Sequence, residues 1–158
     1  MSSERDIQQV LARYVRAVDT RDGAGVARLY TEDATEVISY NRAGEFERLA
    51  EFSGAAAISE AVNTILPSHP PLGWAHHTTF DHIIEIDGDQ ATLDAQFLVY
   101  EVRGAQRPED GWAPGVVGGQ GTIAAIESGY YRIKLVRVEG EWKMTENETA
   151  LDLPTAGL

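Results

Sequence analysis

The chain has 158 residues, of which 43% are hydrophobic and 24% charged, and its formal net charge is −12. This length fits one domain with one core, and the negative charge disfavours binding to nucleic acid backbones and to anionic membranes. The absence of cysteine excludes disulfides, thiolate metal sites and a cysteine nucleophile. The first residues, MSSERDIQQV, are polar rather than signal-like and no apolar run approaches the ~20 residues of a membrane helix, so we expect a cytoplasmic protein.

Three helices are predicted in the first half of the chain. The first is an amphipathic helix of about four turns, indicated by apolar residues at three- and four-residue spacing: Ile7, Val10, Leu11, Tyr14, Val15 and Val18. Asp22 is a suitable N-cap for a short second helix that ends near Tyr30. Residues 53–66 form the third helix, which Pro67 ends. Between the second and third helices, 34–40 and 46–52 are predicted strands joined by a polar turn.

After a loop over 67–73 the sequence period changes from helical to alternating. Two hairpins are predicted, first 74–86 with 91–102 and then 127–138 with 142–151. The intervening segment 104–121 has six glycines and two prolines and is a predicted long loop, of the kind that serves as a lid or an oligomer contact. We therefore predict one α+β domain over 1–153, a curved sheet and helices around a cone-shaped pocket, followed by a loose tail over 154–158.

The stretch GWAHHTTFDH holds three of the four histidines. Adjacent strand residues point to opposite faces, so His76 and His77 diverge. His76 and His82 share a face in an unbroken strand but lie roughly 20 Å apart, too far for one metal ion. We therefore predict no metal site and no cofactor. Alternation alone leaves open which face lines the pocket.

Asp19 lies at the end of the first helix, on the border of its apolar stripe. A carboxylate there opposes the helix macrodipole by roughly 0.3–1 kcal/mol. The position favours a functional role, and an exposed carboxylate paired with Arg16 or Arg21 is the alternative.

Three segments together resemble the SnoaL-like branch of the nuclear transport factor 2-like superfamily: LARYVRAVDTRDGAGVARLYTEDATEV, HTTFDHIIEIDGDQA and YYRIKLVRVEGEWKM. The resemblance covers nearly the whole chain except the 104–121 loop and the tail. It implies a cone-shaped, mostly antiparallel sheet with three helices around a deep pocket, and a homodimer or homotrimer. Related enzymes include scytalone dehydratase, hexachlorocyclohexane dehydrochlorinase, ketosteroid isomerase and polyketide cyclases, whereas dioxygenase small subunits are non-catalytic members.

The resemblance also implies a pair of catalytic residues. In the dehydratase and the dehydrochlorinase an aspartate that ends the first helix pairs with a histidine on the strand after the third helix. Asp19 and His77 match these positions, so His77 is expected to face the pocket and His76 and His82 the opposite face. The chain departs from the dehydratase pattern at Val18 and Asp81, and it lacks a second histidine on the following strand.

The sequence thus favours a cofactor-independent lyase or isomerase, in which Asp19 orients His77 to remove a proton from a small, largely apolar substrate. Acid partners or oxyanion donors are expected among Tyr30, Tyr40, Tyr131 and Asn147. Candidates for the pocket lining or lid are Trp74, Phe97, Val99 and Trp112. Asp81 could replace Asp19, and a carboxylate pair at Glu146 and Glu148 would suit epoxide hydrolysis. The alternative function is a non-catalytic module for hydrophobic-ligand binding or assembly, including a protein like a dioxygenase small subunit.

Overall fold

The computed structural model describes residues 3–155, so the last part of the predicted tail, 156–158, lies outside the described residues. Within this range the chain forms three helices and six strands. The helices are α1 (Ser3–Asp19), α2 (Gly23–Ala27) and α3 (Ala55–Thr64). The strands are β1 (Tyr30–Arg42), β2 (Glu45–Ser53), β3 (Gly73–Asp87), β4 (Gln90–Gly104), β5 (Gly121–Val138) and β6 (Glu141–Leu151).

The strands form one curled, open sheet in the order β2-β1-β6-β5-β4-β3. All neighbouring strands are antiparallel except β1 and β6, which run parallel. Helices in the first half of the chain followed by antiparallel hairpins confirm the predicted α+β class with a mostly antiparallel sheet.

The core lies between the helices and one face of the sheet. Helix α1 contributes the residues of its predicted apolar stripe, and β4 and β5 contribute alternating inward residues, among them Leu93, Phe97 and Tyr131. Helix α3 adds Ile58 and Val62. Side chains repeat their direction every 3.6 residues in a helix and every 2 residues in a strand, so the apolar residues of α1 and of the strands each lie on one face, and these two faces pack together.

A β-bulge interrupts the pairing of β3 with β4. Thr79 pairs with Phe97 before the bulge and Ile84 pairs with Leu93 after it, so β3 carries one residue more than β4 in between. Asp81 accommodates this residue with φ = 52°, a left-handed conformation that aspartate tolerates better than most residues. The bulge reverses the alternation of β3 between its two halves.

The β4–β5 connection is a shorter loop than its composition indicates. The two strands stay paired up to Gly104 and Gly121, so only 105–120 lack regular structure. The predicted start of β5 at residue 127 is six residues too late, because pairing with β4 holds the exposed segment 121–126 in the sheet. At the C-terminus, Pro154 and Thr155 have no regular secondary structure. Within 3–155, no helix combines the length and apolarity that crossing a bilayer requires.

Candidate active site

Asp19 and His77 meet where the end of α1 packs against β3. The Nδ1 atom of His77 lies 2.6 Å from Oδ1 of Asp19, and the backbone N–H of His77 donates to both carboxylate oxygens at 3.2 and 3.3 Å. Asp19 is only 5% exposed. Because an ionised carboxylate can only accept hydrogen bonds, the side-chain contact requires a proton on Nδ1 and makes Nε2 the basic nitrogen.

The end of α1 is fixed by two further side chains. His69 Nε2 lies 2.7 Å from the carbonyl oxygen of Asp19. Arg21, at φ = 58°, donates from Nη1 to the Val18 carbonyl and from Nε and Nη2 to the Pro67 carbonyl. The bonds to Val18 and Asp19 engage carbonyls of the last turn of α1, which have no partner within the helix. They hold Asp19 and the segment after α3 in fixed positions relative to each other.

His76 also approaches Asp19 but is not equivalent to His77. Its Nδ1 lies 4.0 Å from Oδ2 of Asp19 and its side chain is 45% exposed, against 18% for His77. Its ring packs against Tyr100 at a centroid distance of 5.2 Å on the outer face of the sheet. The hydrogen-bonded partner of Asp19 is therefore His77.

His77 lines a cavity of about 330 Å³ between α1, α3 and the inner face of the sheet. Pockets for small molecules have volumes of ~300–1,000 Å³, so this cavity is at the small end of the range. Its apolar lining is Val18, Ile38, Phe52, Ile58, Ala61, Val62, Ile65, Leu66, Pro67 and Leu151. Its polar lining is Tyr14, Glu36, His77, Tyr131, Thr149 and Thr155.

A buried carboxylate, Glu36, lies in the cavity wall and was not among the predicted site residues. The hydroxyl of Tyr14 donates to its Oε1 at 2.7 Å and that of Tyr30 donates to its Oε2 at 3.0 Å. Asn147 Nδ2 in turn donates to the Tyr30 hydroxyl at 3.0 Å. Side chains from three elements, α1, β1 and β6, thus hold both carboxylate oxygens in place.

Burial dominates the electrostatics of this network. Desolvation raises the pKa of Glu36, and the hydrogen bonds from the two tyrosines offset the increase only in part. Desolvation, followed by the nearby Glu36 charge, raises the pKa of Tyr14, Tyr30 and Tyr131 well above 10.0. The tyrosines are therefore hydrogen-bond donors rather than phenolates near neutral pH.

Tyr131 is the predicted acid or donor that the structure places in the cavity wall. No hydrogen bond joins its hydroxyl to another side chain or backbone group within residues 3–155. Its ring contacts Phe97 at a centroid distance of 4.6 Å, and Phe97 is 6.1 Å from the His77 ring. Tyr131 is thus a free donor on the same side of the sheet as His77.

The other predicted site residues lie behind or away from the cavity. Phe97 and Val99 are buried and face inward, with Val99 paired with His77, but neither lines the cavity. Tyr30 and Asn147 lie behind the wall, where they support Glu36. The remaining three are placed outside the lining, contrary to expectation: Tyr40, Trp74 and Trp112.

The physical reasons for these displacements differ. Trp74 shares the outer face of β3 with His76 and stacks on His69 at 4.1 Å between ring centroids. Trp112 is exposed in the 105–120 loop, which does not cover the cavity. Tyr40 lies near the far end of β1, where it pairs with Leu151 and Glu47.

The expectation that His82 lies on the face opposite His77 is wrong. The bulge at Asp81 shifts the alternation, and His82 Nε2 lies 3.2 Å from Oγ1 of Thr79, an inward-facing residue like His77.

Asp81 itself is exposed and does not contact His77, so it does not replace Asp19. Glu148 accepts a hydrogen bond from Ser39, and Glu146 pairs with Lys134, both on the face away from the helices. These two carboxylates therefore do not face the cavity.

A larger open groove, of about 890 Å³, lies on the outer face of the sheet. Its lining is rich in charged side chains that pair with one another, including Arg132 with Asp94 and Lys134 with Glu146. The inner cavity differs in its mainly apolar lining and in containing His77, the hydrogen-bonded partner of Asp19, and we place the candidate site there. In the described part of the chain, no three histidine or carboxylate side chains converge as a metal ion would require.

Residues 1–148 match the SnoaL-like domain. The chain belongs to this family. No curated protein sequence matches this SnoaL-like chain. Its fold is similar to that of an NTF2-like protein with a cystatin-like fold from Novosphingobium aromaticivorans, at 21% identity and a TM-score of 0.66 over 97% of this chain and 84% of that one.

Two further solved structures share the fold of this SnoaL-like chain. ActVI-ORFA from Streptomyces coelicolor is 17% identical, with a TM-score of 0.67 over 94% of this chain and 96% of that one. LinA is 18% identical, with a TM-score of 0.66 over 99% of this chain and 91% of that one. At these identities the similarity establishes the fold, and the chemistry has to be argued from the site.

Proposed function

We propose that this SnoaL-like protein is a cofactor-independent lyase or isomerase in which His77 is the general base and Asp19 its orienting carboxylate. The observation that carries the proposal is the 2.6 Å contact between His77 Nδ1 and Asp19 Oδ1 at the wall of a largely apolar cavity. Within residues 3–155, no hydrogen bond engages the other ring nitrogen, Nε2. A base positioned in this way contributes typically ~10²–10⁴-fold to a rate.

The proposed step is proton abstraction from carbon. The substrate C–H bond breaks, the proton bonds to His77 Nε2, and the electron pair remains on the substrate. In a lyase this pair forms a carbon–carbon double bond as a β leaving group departs with its own bonding electrons. In an isomerase the imidazolium returns the proton to another carbon. The Asp19 carboxylate stabilises the imidazolium formed in either case.

Tyr131 is the proposed hydrogen-bond donor to the leaving group or to the developing oxyanion. Tyr131 lines the cavity, its hydroxyl has no hydrogen bond within residues 3–155, and burial holds its pKa well above 10.0, so it can donate a hydrogen bond as the neutral phenol. A donor of this kind is most effective in a water-poor site. The lining and the volume of the cavity favour a small, largely apolar substrate, including cyclic compounds.

The experiment compares wild type with His77→Ala on a panel of hydroxylated and halogenated cyclic compounds. We expect elimination or isomerisation of at least one compound by wild type and a loss of ~10²-fold or more in the variant. Undiminished turnover by His77→Ala would end the proposed role of His77. Mass spectrometry of ligands that co-purify with the protein would select compounds for the panel. A ligand that binds without being converted by wild type would support the alternative function, a non-catalytic hydrophobic-ligand-binding module.

We further propose that the protein forms a homodimer or homotrimer through the outer face of β3–β5. Large apolar side chains are exposed there, among them Trp74, Phe80, Leu98 and Ile123, and such patches are typical of interaction surfaces. Light scattering after size-exclusion chromatography tests this, with a monomeric mass as the contrary result.

A further inference from the structure

The inner cavity carries a second set of polar groups besides His77 and Tyr131. Glu36 lies in the wall with only 6% of its surface exposed, and Thr149 is 8% exposed. The Thr149 hydroxyl is buried and has no hydrogen-bond partner within residues 3–155. A buried hydroxyl without a partner costs ~1–3 kcal/mol, so a ligand group that forms a hydrogen bond with it would gain from completing it.

Sheet register places Glu36 and Thr149 next to each other on the same face. Glu36 pairs with Asn147 of the neighbouring strand β6, and Thr149 follows Asn147 by two residues. They are thus neighbours on one face, one strand spacing of ~4.8 Å apart across the sheet and two residues of ~3.3 Å each apart along it, within reach of one small ligand group. Thr149 also pairs with Tyr131 on its other side, which joins this region to the part of the cavity near His77.

Glu36 retains hydrogen-bonding capacity towards the cavity. A carboxylate has about four lone-pair positions, and the hydroxyls of Tyr14 and Tyr30 occupy one on each oxygen. If ionised, Glu36 can accept up to two further bonds, and if protonated it can donate one. A ligand hydroxyl, which both donates and accepts, fits either form and can also bond to Thr149.

We propose that Glu36 and Thr149 form a hydroxyl-recognition subsite, and that the ligand of the cavity is an uncharged, largely apolar compound bearing a hydroxyl group. The inference deepens the proposed function and rests on it for the statement that the reactive carbon lies at His77. An anionic ligand group is disfavoured because its charge would lie beside the buried Glu36 carboxylate among mainly apolar side chains. An apolar ring without a hydroxyl leaves Thr149 unpaired.

The test measures binding with three probes of matched shape: 1-naphthol, naphthalene and 1-naphthoate. Dissociation constants are taken at pH 7 from the shifts of the Thr149 and Ile58 methyl signals in NMR titrations of the whole chain. We expect 1-naphthol to bind at least tenfold more tightly than either of the other two probes. Equal affinity for 1-naphthol and naphthalene, or tightest binding of 1-naphthoate, would overturn the proposal.

Two variants assign the preference to the subsite. Thr149→Val removes the hydroxyl at nearly constant volume and should weaken 1-naphthol binding at least threefold, while naphthalene binding is unchanged. Thr78→Val, on the exposed face of β3, is the matched control and should alter neither. Glu36→Gln should raise the affinity for 1-naphthoate at least threefold. If Glu36→Gln does not fold, the three probes with wild type and with Thr149→Val still test the subsite. A preference for 1-naphthol that is unchanged in Thr149→Val contradicts it.

The same titrations separate this inference from the proposed catalysis. In His77→Asn the preference for 1-naphthol should persist, because the subsite does not include His77. If wild type prefers 1-naphthol but catalyses no reaction, the subsite is supported and the enzyme proposal is contradicted. Catalysis by wild type without the preference removes the subsite alone.

Discussion

The imidazole of His77 and the carboxylate of Asp19 are in hydrogen-bond contact although they lie 58 positions apart in the sequence. Asp19 is the last residue of α1, and the carboxylate also accepts the backbone N–H of His77. Three contacts from one residue to one carboxylate fix both the position of the ring and its tautomer. This is a preorganised base of the kind that proton abstraction requires.

Substitution of Asp19 by Asn tests the orienting role. An amide of the same shape can keep the hydrogen bond to the His77 backbone but cannot stabilise an imidazolium, so we expect catalysed proton transfer to fall by ~10²–10⁴-fold. Asp22→Asn is the control, because Asn is an equally good N-cap for α2, and it should leave the rate unchanged. A rate in Asp19→Asn equal to that of wild type would mean that the carboxylate only fastens α1 to β3.

Glu36 should make stability depend on pH in a defined direction. Burial raises its pKa in the folded state, so as the pH rises from about 4 the unfolded chain loses the proton first. Protonated Glu36 contributes its full share to the free energy of unfolding below the pKa that it has in the unfolded chain. This contribution is lost as the pH rises towards the higher pKa that Glu36 has in the folded protein. The free energy of unfolding of Glu36→Gln minus that of wild type should therefore increase between pH 4 and pH 7.

Urea unfolding at a series of pH values measures this difference. Exposed Glu32 provides the control variant Glu32→Gln, which removes the same charge without the burial. A difference for Glu36→Gln that stays constant or falls with pH would show that the two tyrosine hydrogen bonds outweigh desolvation.

Gly129 should not tolerate a side chain. A Cβ atom there would collide with the carbonyl oxygen of Ala150 and lie 2.9 Å from the ring of Phe97, and overpacking of this kind costs ~1–3 kcal/mol. We expect Gly129→Ala to be destabilised by that amount in chemical denaturation. Gly119→Ala, in open space in the 105–120 loop, should stay within about 0.5 kcal/mol of wild type. Equal effects of the two substitutions would contradict the packing described for β5.

The bulge in β3 makes a separate prediction about backbone conformation. Asp81 has φ = 52°, and a β-branched residue is strongly disfavoured there. Asp81→Val should therefore lower the free energy of unfolding by ~1–2 kcal/mol, whereas Thr78→Val, exposed on the regular part of β3, should not lower it. Thermal unfolding of both variants measures this, and an equally stable Asp81→Val would mean that the strand can pair without the bulge.

How far the sequence predicts the structure depends on whether a feature is periodic. The apolar repeat from Ile7 to Val18 predicts α1, and alternation predicts the two C-terminal hairpins, because core burial imposes the period. The bulge escapes prediction because a single extra residue at Asp81 reverses the alternation without changing the composition. His82 is assigned to the wrong face for this reason.

Glu36 shows why the buried network could not be predicted from the sequence. It alternates with Thr35 and Val37 in a strand where neither face is clearly apolar, so the local pattern only weakly marks it as buried. Its partners Tyr14 and Tyr30 come from α1 and the start of β1. The one local signal is a carboxylate at an alternate position between Ala34 and Ile38, both of which face the helices.

The measurement that tests the central claim most directly is proton exchange at carbon in a cavity-sized ketone. In D₂O, NMR follows the replacement of the α hydrogens of 2-tetralone by deuterium with wild type, His77→Asn and His76→Asn. The account predicts accelerated exchange with wild type and His76→Asn, and a loss of ~10²-fold or more in His77→Asn. Exchange by His77→Asn at the wild-type rate would contradict the assignment of His77 as the base.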